Sequence, residues 1–250
     1  MACGCKKRQA IAKAKMVMSQ PQPVSQPIND SVDVGIITRA YNRLEYTAQV
    51  IGNVRNVSNG VSYRHVIVDN NSSDGTKEWI AWLKQNTDWY NNLIYTRLPV
   101  NAGDWGGMVA GYNLIKNAKY IVQLDNDILV PEGWLTSMID VLENSQYQVV
   151  MLRRENVEWK LKPLSPVFKI SNCECAKVER AVACYMMKNE TFQKVINHVP
   201  SNQGSNSKYI MAHVVNRSIV KILNVTCREI ESPFQREKYK PSNPNVYQKT

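Results

Sequence analysis

No part of this 250-residue sequence runs apolar for anything near 18 residues. A transmembrane helix needs roughly that length to cross the hydrocarbon core, so a membrane span is not expected. A secretory signal is missing too. Where its apolar centre would run, Ile11-Ala12-Lys13-Ala14-Lys15-Met16 is broken by lysines, which points to a cytoplasmic protein, of a cell or of a virus-infected host. No internal repeat is visible. Acids are absent from two places: the first fifteen residues, and the whole stretch from Thr191 to Arg228.

The first gap leaves Lys6, Lys7, Arg8, Lys13 and Lys15 uncompensated, half of a formal net charge of +10. Such an arm reads as solvated and disordered, or as attracted to nucleic acid or an anionic membrane face. Ser19-Gln20-Pro21-Gln22-Pro23-Val24-Ser25-Gln26-Pro27 then has the composition of a linker. Residues 1–31 are thus assigned to the arm and linker, 32–231 to a folded domain, and 232–250 to an extended tail. Six cysteines include the pairs Cys3/Cys5 and Cys173/Cys175. Structural zinc sites space their pairs more widely, so reduced thiols are the expectation.

From Val32 onward, apolar β-branched runs alternate with segments of helical spacing. Val32–Thr38, Tyr63–Asp69, Leu93–Arg97 and Tyr120–Leu124 read as strands. Leu44–Val54, Thr76–Leu83, Trp105–Asn117 and Pro131–Glu143 read as helices, with Ser73 or Asp74 as an N-cap. Strand and helix alternating four times predicts an α/β fold, with a mostly parallel central sheet and helices on both faces. After Val150 the pattern weakens. Val149–Arg153 and Ala181–Met187 read as strands and Glu190–Ile196 as a helix.

Ligands of such sheets bind at the carboxyl ends of the strands. Thr38, Arg39, Asp69, Asn70, Asn101, Asp125 and Asp127 all fall at or just past those ends. Asp125 and Asp127 are the sharpest signal, two carboxylates one residue apart at the end of an apolar strand. Both can reach one hard cation, Mg²⁺ or Mn²⁺, whose shell is commonly completed by substrate phosphates.

In this order and spacing, Ile37-Thr38-Arg39-Ala40-Tyr41-Asn42-Arg43, Val68-Asp69-Asn70-Asn71-Ser72-Ser73-Asp74-Gly75-Thr76, Asn101-Ala102-Gly103 with Gly107, Ala110 and Asn113, and Asp125-Asn126-Asp127 resemble family 2 glycosyltransferases. The resemblance covers about Val32 to Trp134. It implies a Rossmann-like A-type glycosyltransferase fold, with residues 32–134 as the nucleotide-sugar half and 135–231 as the acceptor half. It implies that Asp69 accepts from the nucleotide base, most often uracil, and that Thr38 and Arg39 line base and diphosphate. Arg43 would pair with phosphate or be solvated. Asn101 and Gly103 would flank the ribose, with Gly106 and Gly107 admitting close backbone approach. Asp125 would sit near the ribose and metal-bound water, and Asp127 would bind the ion. Trp105 and Trp134 flank this region and are expected in the core.

The second acidic gap removes the carboxylate that inverting transfer would use as a base. His213, Glu174 and Glu179 are the remaining candidates; a retaining enzyme, or an inactive descendant, would need none. The expected function is metal-dependent transfer of a sugar from a nucleoside-diphosphate sugar to a glycan, lipid or protein. One alternative is a phage-type enzyme acting on modified bases in DNA. It would use the basic cluster Arg153, Arg154, Lys160, Lys162 and Lys169 around Trp159. Another is a non-catalytic nucleotide-sugar or nucleic-acid binding module. A nucleotidyltransferase would carry a glycine-rich, lysine-bearing loop after the first strand, and Arg39–Arg43 contains no glycine.

Overall fold

The structure, a computed structural model, describes residues 32–155, 163–199 and 207–230. The basic arm, the tail, Cys3, Cys5, Trp159, Lys160 and Lys162 lie outside the described residues.

Among the described residues, ten strands form one mixed sheet. They are β1 (Val34–Ala40), β2 (Tyr63–Asp69), β3 (Leu93–Arg97), β4 (Tyr120–Leu124), β5 (Ile128–Leu129), β6 (Val149–Arg154), β7 (Phe168–Ile170), β8 (Cys173–Lys177), β9 (Cys184–Lys188) and β10 (Ile219–Glu229). The helices are α1 (Leu44–Val57), α2 (Thr76–Asn86), α3 (Gly103–Tyr112), α4 (Trp134–Glu143), α5 (Asn189–His198) and α6 (Ser207–Val214). The strand order is β3-β2-β1-β4-β9-β6-β10-β8-β7, with β5 on β10. β1 is parallel to β2 and β4, and β2 to β3. β9 enters antiparallel between β4 and β6, and β10 then pairs parallel with β6. Most strands therefore share one direction, as the alternating pattern predicts, while β9, β8 and β5 oppose it.

Side chains alternate across each strand, so both faces of the sheet are apolar and both are covered. Val34 and Ile36 of β1 pack with Val50 and Val54 of α1 and Trp134 and Met138 of α4. Ile37 on the other face packs with Trp105 and Met108 of α3, Phe192 of α5 and Met211 of α6. Helix α3 lies close because Gly111 has no side chain. A Cβ there would come within 2.5 Å of Ile37 Cγ2 and 3.0 Å of Val68 Cγ2. Trp105 and Trp134 are core residues, as expected. Their ring N–H groups donate to Val199 O and Ser58 Oγ.

Three strands, β2, β3 and β4, have the predicted ends. β1 ends two residues later than predicted, at Ala40, because Ala40 pairs with Asp69 and its carbonyl accepts Asn70 N at 2.8 Å. Thr38 and Arg39 thus lie inside the strand and point to opposite faces. Helix α4 begins at Trp134 rather than Pro131, because Ile128 and Leu129 are drawn into pairing with β10 and Gly133 turns the chain at φ 69°. Helix α3 spans Gly103–Tyr112, shifted toward the N-terminus and shorter than predicted. Gly75 occupies the start of α2, and the predicted cap Asp74 acts from just before it. Asp74 Oδ1 accepts Thr76 N at 3.2 Å and Oδ2 accepts Leu44 N at 2.7 Å, which ties the starts of two helices together.

The β7–β8 hairpin and the eleven-residue β10 were not predicted. β10 carries a readable signal in Ile219, Val220 and Ile222, all fully buried. Its alternation is broken by a bulge, since Ile222 pairs with Leu152 while the next paired residue, Thr226, meets Arg153. Among the described residues, no helix is long and apolar enough to cross a membrane.

Candidate active site

The carboxyl ends of β1, β2 and β4 form one rim, and the acidic pair sits on it. Two arginines from the first strand and the loop after it reach the two acids. Arg39 donates from Nη2 to Asp125 Oδ1 at 2.8 Å, and Arg43 from Nη1 to Asp127 Oδ2 at 2.9 Å. The sequence places these partners more than eighty residues apart, and the parallel pairing of β1 with β4 brings them together.

Arg39 is built into the fold. Its side chain is 15% exposed and its Nη1 also donates to Asp104 O at 3.1 Å. Its stem lies over Gly107, where a Cβ would stand 3.0 Å from Arg39 Cγ. Gly107 was expected to face the substrate; instead it makes room for this arginine. Asp125 is fixed from three directions. Gln123 Nε2 donates to Asp125 Oδ1 at 2.6 Å, Arg39 donates to the same oxygen, and its own N–H donates to Ala183 O at 2.9 Å. Burial pushes the Asp125 carboxyl up to about 6; Arg39 opposes this, while the Asp127 and Asp104 carboxylates add to it.

Asp127 lies in the turn just after β4. Its carbonyl accepts Ile230 N at 2.8 Å, so the end of β10 holds the backbone that carries it. Between the acids, Asn126 is buried and donates to Thr47 Oγ1 at 3.2 Å. That anchor fixes the turn between the two carboxylates.

Loop 101–103 closes against this rim. Asn101 Oδ1 accepts Gly103 N at 2.9 Å, and Asn70 accepts Ala102 N at 3.3 Å while donating to Gly103 O at 3.4 Å. Gly103 adopts φ 70°, a left-handed conformation that suits glycine.

Two expected ligand contacts are held inward. Thr38 is fully buried, with Oγ1 2.9 Å from His65 Nε2. Asp69 is fully buried and already accepts Ser72 N at 2.7 Å, Tyr95 Oη at 2.7 Å and Arg97 Nη1 at 2.6 Å. Burial works against its charge, but these hydrogen bonds outweigh that and hold its carboxyl below the usual range. By strand alternation Asp69 faces the Ile67 and Tyr95 side of the sheet, whereas Arg39 and Asp125 face α3.

The structure does not bring the candidate bases to the acidic rim. His213 is exposed near the end of α6, just before the turn that feeds the first residue of β10. That is the opposite end of the sheet from Asp125. Glu179 follows Val178, whose N–H donates to Ile219 O at that same remote end, and it is exposed and paired with Arg180 at 3.1 Å. Glu174 is exposed on the outer hairpin, opposite Lys169. In the basic cluster, Arg154 is paired with Glu229 at 3.4 Å. Cys173, Cys175, Cys184 and Cys227 are buried free thiols.

Asp104 and Gln123 were missed by sequence reasoning. Gln123 was hidden within an apolar strand, where a buried amide next to an acid is the available signal. Among the described residues, no group of three or more His, Cys, Asp or Glu side chains is placed to hold a metal. Two carboxylates alone suit an ion that takes its remaining ligands from phosphate and water.

Residues 35–211 match the family described as Glycosyl transferase family 2. No curated protein matches the sequence. Among solved structures, S. aureus TarS 1-349 in complex with UDP-GlcNAc is similar at TM-score 0.58 and 12% identity, over 80% of this chain and 59% of that one. GalNAc-T7 with UDP, GalNAc and Mn²⁺ is similar at TM-score 0.66 and 11% identity, over 88% of this chain and 46% of that one. The chain therefore spans about three fifths of the former and under half of the latter. At such identities the likeness shows the fold, that of the A-type nucleotide-sugar transferases.

Proposed function

The chain belongs to glycosyl transferase family 2, and from that membership we propose that it moves a sugar from a UDP-sugar to an acceptor hydroxyl, using Mn²⁺ or Mg²⁺ held by Asp125 and Asp127. The observation that carries this reading is the acidic pair on the rim, each acid in contact with an arginine. The similar structures, with UDP, UDP-GlcNAc and Mn²⁺, support the donor and the ion. The four buried free thiols support a cytoplasmic, reducing setting.

The donor set fits such an ion. When bound, it would neutralise charge developing on the departing diphosphate. Gln123, Arg39 and the Ala183 carbonyl aim Asp125, and Ile230 and Asn126 hold the turn that presents Asp127. Arg39, protonated and pinned over Gly107, adds a fixed positive charge beside the leaving group without reorganising during the reaction. Asp69 contributes by fixing Tyr95, Arg97 and the Ser72 loop. Asn101 and Gly103 form the loop that would flank the ribose. The acceptor is a glycan, lipid or protein hydroxyl.

The test is nucleotide release from a panel of nucleotide sugars in Mn²⁺ or Mg²⁺, with and without Asp127→Asn. Release from a UDP-sugar that requires the metal and falls at least 100-fold in the variant is expected. Release indifferent to the substitution would remove the role assigned to Asp127.

A further inference from the structure

The two arginines on the rim are held differently. Arg39 is wedged over Gly107 and bonds both Asp125 and the Asp104 carbonyl. Arg43 stands at the N-cap position of α1, and its side chain is 23% exposed against 15% for Arg39. Its guanidinium lies 2.9 Å from the oxygen of Asp127 that would serve an incoming cation. Asp127 itself is well covered, with 13% of its side chain exposed. Leaving it without any cation would strand a carboxylate in poor solvent contact. Each acid of the pair is met by an arginine, Asp125 by Arg39 and Asp127 by Arg43.

We propose that Arg43 is an exchangeable counter-ion. It neutralises Asp127 before the donor arrives, yields that carboxylate to the divalent ion, and turns its freed guanidinium to the diphosphate. This rests on the metal role assigned above to Asp127. A guanidinium fork matches phosphate oxygens as well as it matches a carboxylate, so the exchange replaces one charge-assisted contact with another. The ion and Arg43 compete for Asp127 when no nucleotide is present, and cooperate once it is. The protein therefore binds bare metal weakly and metal with nucleoside diphosphate tightly.

The test uses the full chain and two ligands, Mn²⁺ alone and UDP in saturating Mn²⁺. Free Mn²⁺ is counted by its EPR signal, and UDP binding is followed by calorimetry. Arg43→Gln should tighten Mn²⁺ binding about tenfold, the size of one charge-assisted hydrogen bond, and weaken UDP binding by about the same factor. Arg43→Lys, which keeps the charge, should leave Mn²⁺ binding near wild type. Arg64→Gln removes the same charge at the far end of β2, where Arg64 donates to Asn91 O at 2.7 Å, and should change neither. Mn²⁺ binding that is unchanged or weaker in Arg43→Gln, or a UDP affinity that does not fall, overturns the exchange. Asp127→Asn separates the two levels. If it leaves Mn²⁺ binding intact, the metal role itself fails. If it abolishes binding while Arg43→Gln does not strengthen it, only the exchange fails.

Discussion

Replacing Thr38 and His65 together by Val and Leu should remove most of the protein's loss of stability between pH 7.5 and 5.5 that is due to histidine. His65 is 2% exposed, against Thr38 across the first two strands. Burial alone pulls its imidazole down to about 3, whereas in the unfolded chain it titrates near the ordinary value of about 6.5. The folded protein therefore keeps His65 neutral while the unfolded chain takes up a proton. Nothing is lost well above pH 6.5; stability falls as pH drops through 6.5 and keeps falling toward 3. Linkage gives about 1.4 kcal/mol lost between pH 7.5 and 5.5, and about 2.6 kcal/mol by pH 4.5. Asp125 opposes this, since its raised carboxyl binds a proton in the folded state first and adds stability as pH falls through 6. The raw slope is therefore not diagnostic, but the difference between the two proteins is. Swapping both polar partners for apolar groups of similar size should be nearly neutral at pH 7.5. Urea denaturation of both proteins at the two pH values measures the difference. Equal losses in both would refute the reasoning, because they would mean His65 gains its proton without unfolding.

Gly107→Ala brings a Cβ to 3.0 Å from Arg39 Cγ and 3.2 Å from Cδ, a flexible stem that can shift. The melting temperature should stay within a few degrees while KM for the donor rises several-fold, because Arg39 loses its aim at Asp125; a KM equal to wild type would count against the role of that shelf. Asp74→Ala removes the acceptor shared by the starts of α1 and α2 and should cost about 1–2 kcal/mol in chemical denaturation, with Asp74→Asn costing less.

The first half of the fold was legible because its signals are local. The apolar runs of β2, β3 and β4 stop at Asp69, Arg97 and Leu124 in both sequence and structure, since a polar residue or a turn ends each strand on its own account. β1 was misplaced by two residues because its end is set by hydrogen bonds to Asp69 and Asn70, which no local pattern contains. The same cause explains the missed β10. Its middle is bulged against β6, and its two ends serve different neighbours, β8 and β5. Gly107 looked like a substrate-facing glycine because nothing near it in sequence indicates that Arg39 lies above it.

The sequence alone determined where β2, β3 and β4 end, that both sheet faces would be covered, and that two acids would follow the end of β4. Each follows from period-two and helical spacing, which operate over a few neighbouring residues. Only the tertiary structure decided who holds those acids. Arg39 and Arg43 meet Asp125 and Asp127 because β1 lies parallel beside β4, and Asp69 turns its carboxylate inward because Arg97 stands opposite it on β3. Such partnerships depend on strand order and side-chain alternation across the sheet, and these are properties of the assembled sheet that no single segment carries.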